Sequence, residues 1–228
     1  MIFGGLEKLT LIDYPGKVAA LVYTIGCNFH CPYCHNPELV DETVERRWRE
    51  DEIFAFLDTR RGLLDSLVIT GGEPTLHEDL PNFISLIKRK EFLVKLDTNG
   101  TNPAMLRRLI ADGLVDYVAM DVKAPLRSYE KTVARPVDTE AIGESISLLL
   151  KGGVDYEFRT TLVKALISPD DIRDIGKEIH GAKAYYLQKF VPGKLLNPQF
   201  RRKVTYTDEE LAVLQKELLT HVSFCGIR

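Results

Sequence analysis

The 228-residue chain contains no long uncharged apolar run and no N-terminal stretch built like a secretory signal. No membrane span is expected, and a cytoplasmic location is the default. Charge of one sign is missing too: 30 Lys and Arg stand against 33 Asp and Glu, a formal charge of −3. That gives no overall attraction to nucleic acid or an anionic membrane, and basic clusters such as Arg46–Arg47 and Arg201–Arg202–Lys203 read as solvated surface. There is no low-complexity segment and no obvious linker. Cysteine is scarce, and after Cys34 only Cys225 remains, so an insert or tail has no ligands for a further metal centre. No Ser/His/Asp or paired-carboxylate signature is present.

What remains is an ordinary globular composition, 45% hydrophobic and 28% charged, long enough for a sizeable core in one large domain. Apolar, β-branched runs alternate with helical patterns. Strands are expected at 18–25, 66–70, 92–97, 115–121, 154–161 and 184–190. A helix over 79–90 starts behind a candidate Asp79 cap and presents Leu80, Phe83, Ile84 and Ile87. Asn102–Pro103 opens another, which Gly113 stops. Ile142, Ile146 and Leu149 make a third face. Ser168 with Asp171, and Thr207 with Glu210, read as capping boxes before two more. A weaker helix is expected over 48–59. Six strand–helix units imply parallel strands with right-handed crossovers, covered on both faces. Six are too few for a closed eight-stranded barrel, so the expected fold is an open, partial (β/α)6 barrel in one domain. Residues 1–16 would be an N-terminal extension, 17–190 the core and 191–228 a C-terminal segment with one helix.

The unusual polar residues all fall at the C-terminal edges of these strands, where α/β folds build their sites. Cys27, Cys31 and Cys34 follow the first. Gly71-Gly72-Glu73-Pro74 follows the second, with glycines that let backbone approach a ligand and a carboxylate that can accept from an ammonium group. Asp97, Thr98 and Asn99 end the third, Asp121 and Lys123 the fourth. Arg159 lies late in the fifth and Gln188 late in the sixth. In a reducing compartment a Cys-x3-Cys-x2-Cys cluster reads as metal-binding or redox-active. Three thiols leave a fourth metal position open. A structural zinc site completed by His30, His35 or Cys225 is the other reading.

The pairing of GCNFHCPYC with GGE one strand later resembles the radical S-adenosylmethionine superfamily, over nearly the whole chain. The resemblance implies a [4Fe-4S] cluster on Cys27, Cys31 and Cys34, with S-adenosyl-L-methionine chelating the open iron through its amine and carboxylate. It places Tyr33 and the backbone of His35 near the adenine, Gly71, Gly72 and Glu73 at the methionine ammonium, and Thr98 and Asn99 at the ribose or methionine end. Lys123 would face the carboxylate, Arg159 would add a second positive charge, and acids at Asp97 and Asp121 would help hold a monovalent cation. One departure stands out. Pyruvate formate-lyase activators carry histidine at the end of the sixth strand, where this chain has Gln188.

The N-terminal run, with Ile12-Asp13-Tyr14-Pro15-Gly16 before the first strand and Tyr33-Cys34-His35-Asn36-Pro37 after it, resembles anaerobic ribonucleotide reductase activating proteins. Tyr-Pro-Gly suits a tight turn. That resemblance implies an activase. A flavodoxin or ferredoxin would supply one electron, and a glycyl radical would form on the anaerobic ribonucleotide reductase catalytic subunit. The alternatives are an activator of another glycyl-radical enzyme of the pyruvate formate-lyase type, a small-molecule enzyme such as 7-carboxy-7-deazaguanine synthase, or a zinc-binding interaction module without catalysis.

Overall fold

The computed structural model describes residues 1–228. Chain order is β1 (Ile2–Thr10), β2 (Ala19–Thr24), α1 (Pro37–Val40), β3 (Trp48–Arg49), α2 (Glu50–Asp58), β4 (Ser66–Gly71), α3 (Leu80–Lys88), β5 (Leu93–Thr98), α4 (Pro103–Ala111) and β6 (Tyr117–Asp121). Then come α5 (Tyr129–Val133), α6 (Thr139–Leu150), β7 (Asp155–Leu162), α7 (Pro169–Glu178), β8 (Tyr185–Lys189), α8 (Asp208–Leu218) and β9 (Cys225–Ile227). No helix is long and apolar enough to cross a membrane.

One nine-stranded sheet runs β3-β1-β2-β4-β5-β6-β7-β8-β9. From β2 to β9 neighbours are consecutive along the chain, apart from β3, and all are parallel. A right-handed crossover at every step puts every helix on the same face. That excludes a doubly wound sheet, which needs a reversal of strand order, and it curls the sheet into a half-barrel. The ends β3 and β9 do not pair, so the barrel stays open.

The six expected strands all form, as β2 and β4 to β8. Three others were not foreseen. β1 lies within the segment read as an N-terminal extension and pairs antiparallel with β2. β3 and β9 are two and three residues long, too short for a period-2 signal. Lys17 N–H closes on Tyr14 C=O at 3.1 Å, with Gly16 at φ +70°. Pro15 and a left-handed glycine give this turn the type II pattern.

Coverage differs between the two faces, unlike the expectation. Ala20, Val22, Leu67, Ile69, Val94, Leu96, Val118, Met120, Phe158 and Leu187 point outward into a 49-residue core shared with the helices. The alternate residues face inward. At the bottom they are apolar, with Tyr14, Ala19, Leu21 and Val68 in a small cluster. Above lie Lys95, Asp97, Asp121, Glu157 and Arg159. A barrel curled on itself can bury charge inside because opposite signs meet there, which the parity of the strands alone does not reveal.

Helix ends follow their local sequence. Asn102 accepts from Met105 N–H at 3.1 Å, and both capping boxes form. Behind the Ser168 box, Ile172, Ile175 and Ile179 are fully buried, each stabilising by roughly 1.5–3 kcal/mol. Asp79 sits at the predicted cap position but makes no side-chain cap bond. Its carboxylate takes the Met1 amine at 2.9 Å instead.

Candidate radical active site

The loop after β2 carries the three thiols. Its geometry is fixed by backbone hydrogen bonds to other segments, Gly26 N–H to Leu39 C=O (2.7 Å) and His30 N–H to Val133 C=O (2.9 Å), and by an internal turn, Cys34 N–H to Cys31 C=O (2.9 Å). The segment after β8 straps it from outside. Leu196 N–H donates to Cys34 C=O at 2.9 Å and Asn197 N–H to Pro32 C=O at 3.0 Å. His35 Nε2 lies 2.8 Å from Val191 C=O.

Cys27, Cys31 and Cys34 line a cavity of about 220 Å³ at the C-terminal edge of the sheet. Of the other predicted site residues, Tyr33, His35, Gly71, Gly72, Glu73, Asp97, Thr98, Asn99, Asp121 and Lys123 line the same cavity. Arg159 does not. Gln188 does not either; its register partner across the β7–β8 ladder, Thr161, does. Phe29, Asn36, Val40, Thr70 and Thr161 were missed. Thr161 was findable, because it shares strand parity with Arg159.

The two glycines owe their place to packing between backbones, a different reason from ligand approach. A Cβ on Gly72 would fall 1.9 Å from Gly26 O, and one on Gly71 2.5 Å from Thr24 N. Gly72 N–H donates to Thr24 C=O and Glu73 N–H to Gly26 C=O, both at 2.9 Å. The turn after β4 is thereby laid against the start of the thiol loop.

Glu73 is buried. Its Oε1 accepts from Thr75 N–H (3.0 Å), Thr75 O–H (2.5 Å) and Thr98 O–H (2.7 Å), and its Oε2 from Asn99 N–H (2.6 Å). Burial pushes its pKa up, and these hydrogen bonds only partly offset that. Asn99 is also engaged: its amide N–H donates to Asn28 (2.8 Å) and its oxygen accepts from Thr101. Glu73, Thr98 and Asn99 therefore lock the β4, β5 and thiol loops together while lining the cavity.

An ionic network forms the floor of the cavity, lined by Asp97, Asp121 and Lys123 and backed by Lys95 and Arg159. Asp121 accepts from Lys123 Nζ at 2.9 Å and Arg159 Nε at 2.9 Å. Asp97 accepts from Arg159 at 3.2 Å and from Lys95 Nζ. Burial opposes ionisation of Asp97, Asp121, Lys123 and Arg159. The opposite charges outweigh it, holding Asp121 and Asp97 below the usual carboxylate range and Lys123 and Arg159 above their ordinary values. Every oxygen of Asp97 and Asp121 takes one cationic N–H, and three bases face two acids, an excess of positive charge that opposes the expected monovalent cation.

The thiols suit an iron–sulfur cluster. Burial pushes Cys27 up to about 12 and Cys31 to about 11, so thiolates here require a cationic metal beside them. No three His, Cys, Asp or Glu side chains converge on a single-ion site; the thiols instead surround a space. Tyr33, which lines the same cavity, has a fully buried hydroxyl that makes no hydrogen bond within the protein.

Comparison with known proteins agrees with this geometry. The model of the radical SAM superfamily matches residues 21–180. A Methanocaldococcus jannaschii protein, provisionally named a glycyl-radical enzyme activating enzyme, is 38% identical over 100% of this chain and 95% of its own length. A 7-carboxy-7-deazaguanine synthase from Methanothermobacter thermautotrophicus is 31% identical over 68% of this chain and 63% of its own. A radical SAM methyltransferase structure from Sphaerobacter thermophilus superimposes with a TM-score of 0.72 at 18% identity, covering 96% of this chain and 68% of that one. A partial barrel with three thiols and a Gly-Gly-Glu turn on one cavity, matched by the family over most of the sheet, makes the chain a member of the radical S-adenosylmethionine superfamily.

Proposed function

We propose that the protein is an activase that installs a glycyl radical on a partner enzyme, the anaerobic ribonucleotide reductase catalytic subunit. The observation that carries the reading is the single cavity shared by Cys27, Cys31, Cys34 and Glu73, in a chain similar along its full length to a protein named as an activating enzyme. When bound, a [4Fe-4S] cluster and S-adenosyl-L-methionine supply one-electron cleavage of the sulfonium and a radical able to take a glycine Cα hydrogen. Cys27, Cys31 and Cys34 would hold the cluster.

The chain's own part is binding, orientation and exclusion of water. Glu73 Oε2 accepts one protein hydrogen bond and keeps capacity for an ammonium. Lys123 Nζ, paired with Asp121, keeps donors for a carboxylate. Tyr33 and the His35 backbone would form the adenine end, with Gly71, Gly72, Thr98 and Asn99 on the methionine and ribose side. Arg159 acts from below, by holding Asp97 and Asp121. The electron donor would be a flavodoxin or ferredoxin, and neither nucleic acid nor membrane takes part.

The test is anaerobic: reconstitute with iron and sulfide, reduce, add S-adenosyl-L-methionine and the reductase subunit, and record the EPR spectrum. A doublet on the partner with 5′-deoxyadenosine in solution supports the activase. 5′-Deoxyadenosine without the doublet favours the second reading, a small-molecule enzyme, which the similarity to a 7-carboxy-7-deazaguanine synthase supports. Cys34→Ala is expected to lose cluster absorption and cleavage together; retained cleavage would remove Cys34 from the ligand set.

A further inference from the structure

Arg201–Arg202–Lys203 takes no part in the cavity, and sequence alone gives it no role beyond solvation. The structure places it on the segment 191–203, which straps the outside of the thiol loop through the bonds from Leu196 to Cys34 and from Asn197 to Pro32. On the other flank of the loop, His30 is bonded to Val133, at the end of α5 and close to Arg135. Residues 25–37, 131–136 and 191–203 together carry six bases, Lys131, Arg135, Lys194, Arg201, Arg202 and Lys203, and no acid, in a chain of net charge −3. All six are exposed. Lys194 is paired with Glu38; the other five meet no carboxylate. Acids just outside these segments are engaged elsewhere: Glu130 accepts from Val137 N–H at 3.2 Å, and Asp208 and Glu210 pair with Lys189 and Lys164.

The strap also carries apolar surface. At its base Phe190 N–H donates to Thr205 Oγ1 at 3.3 Å. That contact brings the flanking Val191 and Val204 to the same end, where they are 65% and 61% exposed. Val191 C=O lies 2.8 Å from the ring of His35, the neighbour of Cys34. Two bare valines beside the unpaired Arg201, Arg202 and Lys203 have the make-up of a small interface, an apolar centre with a polar rim. No residue of 191–203 lines the cavity, so a partner here leaves the cavity open. Weak redox encounters use small surfaces, and unpaired charge of one sign steers them.

We propose that the strap 191–203, with the end of α5, is the docking surface for an acidic flavodoxin, whose electron crosses the strap to the cluster held by the thiols. The charge selects an acidic partner. A place one backbone layer from Cys34 selects an electron carrier over nucleic acid or membrane. The two valines select a flavin, whose dimethylbenzene edge is apolar. The anionic flavin hydroquinone gives up one electron and becomes the neutral semiquinone; the cluster gains that electron, and no proton moves. The inference rests on the radical chemistry proposed above and names the surface its electron donor requires.

The double variant Arg202→Glu, Lys203→Glu of the full, reconstituted protein tests it. Binding of oxidised flavodoxin, measured by anaerobic titration calorimetry, is expected to weaken about tenfold at low salt, with the difference shrinking at high salt as the charges are screened. Flavodoxin-driven cleavage of S-adenosyl-L-methionine should slow with it, while dithionite-driven cleavage and the glycyl doublet on the reductase subunit stay at wild-type levels. Unchanged flavodoxin binding overturns the proposal. An equal loss of cleavage with dithionite shows that the strap shapes the site, and overturns it. Loss of the doublet alone under dithionite assigns the surface to the reductase, and overturns it too. So does a ferredoxin that binds more tightly than flavodoxin and is weakened by the same variant. Weakened flavodoxin binding supports the surface even where the wild-type protein yields no doublet, a result that removes the activase reading alone.

Discussion

Asp121→Asn perturbs the barrel interior most directly. Lys95, Lys123 and Arg159 meet Asp97 and Asp121 in one buried network, so three bases against two acids leave one positive charge over. Neutralising Asp121 leaves two uncompensated, removes the partner of Lys123 and leaves Arg159 with Asp97 alone. Breaking a buried pair costs about 3–5 kcal/mol, and this variant belongs near about 5 kcal/mol on that scale. Arg159→Met also breaks two pairs. Asp97 keeps Lys95 and Asp121 keeps Lys123, however, and charge becomes balanced, so the cost falls near about 3 kcal/mol. The double variant restores the wild-type excess of one positive charge. Its loss should be smaller than the two single losses combined by about 1–3 kcal/mol, the coupling of residues in contact. Urea unfolding at pH 7 measures all three. The sign with pH follows from the depressed Asp121 pKa. The stability it adds is present above its unfolded value of about 3.9 and is lost as pH falls through the lower folded value. The gap between wild type and Asp121→Asn should therefore close in acid. Equal destabilisation by the two single variants, or strict additivity in the double, would refute this account of the network.

Three further outcomes are expected. Gly72→Ala sets a methyl against Gly26 backbone, where no rotamer offers relief. A cost of about 3 kcal/mol, or roughly 6–12 °C in Tm for a chain this size, should appear in thermal unfolding; a wild-type Tm would mean the turn does not press on the thiol loop. Glu73→Gln must turn an N–H toward one of four donors and should lose about 1–3 kcal/mol before any cofactor is added, so unchanged urea stability would contradict the hydrogen-bond assignment. Ser168→Ala removes an exposed capping box and should lower stability by about 1 kcal/mol; no drop in the denaturation midpoint would show that the cap adds nothing.

Much of this molecule is written locally. The core strands appear as β-branched runs, and the helix starts at Asn102, Ser168 and Thr207 are legible because a cap acts within three residues. The site was legible for the same reason: residues at the ends of consecutive parallel strands meet at one edge. Asp79 shows the limit. It stands at a helix start, yet its carboxylate is taken by the Met1 amine, a partner 78 positions away in sequence that no local pattern announces. The Gly-Gly turn shows another. Two glycines before an acid suggested room for a ligand, but the atoms that forbid a side chain belong to Thr24 and Gly26.

By itself, then, the sequence determined the order of parallel strand–helix units, the helix ends and the thiol, Gly-Gly-Glu and Asp-x-Lys groups that share the cavity, because propensity, capping and strand parity act over a few residues. Only the tertiary structure decided that β1 joins the sheet, that Glu73 is clamped by Thr75, Thr98 and Asn99, and that Arg159 bridges Asp97 and Asp121 beneath the cavity instead of lining it. Those outcomes depend on which strands become neighbours and how far the sheet curls, and on the charges that curling brings within hydrogen-bond reach.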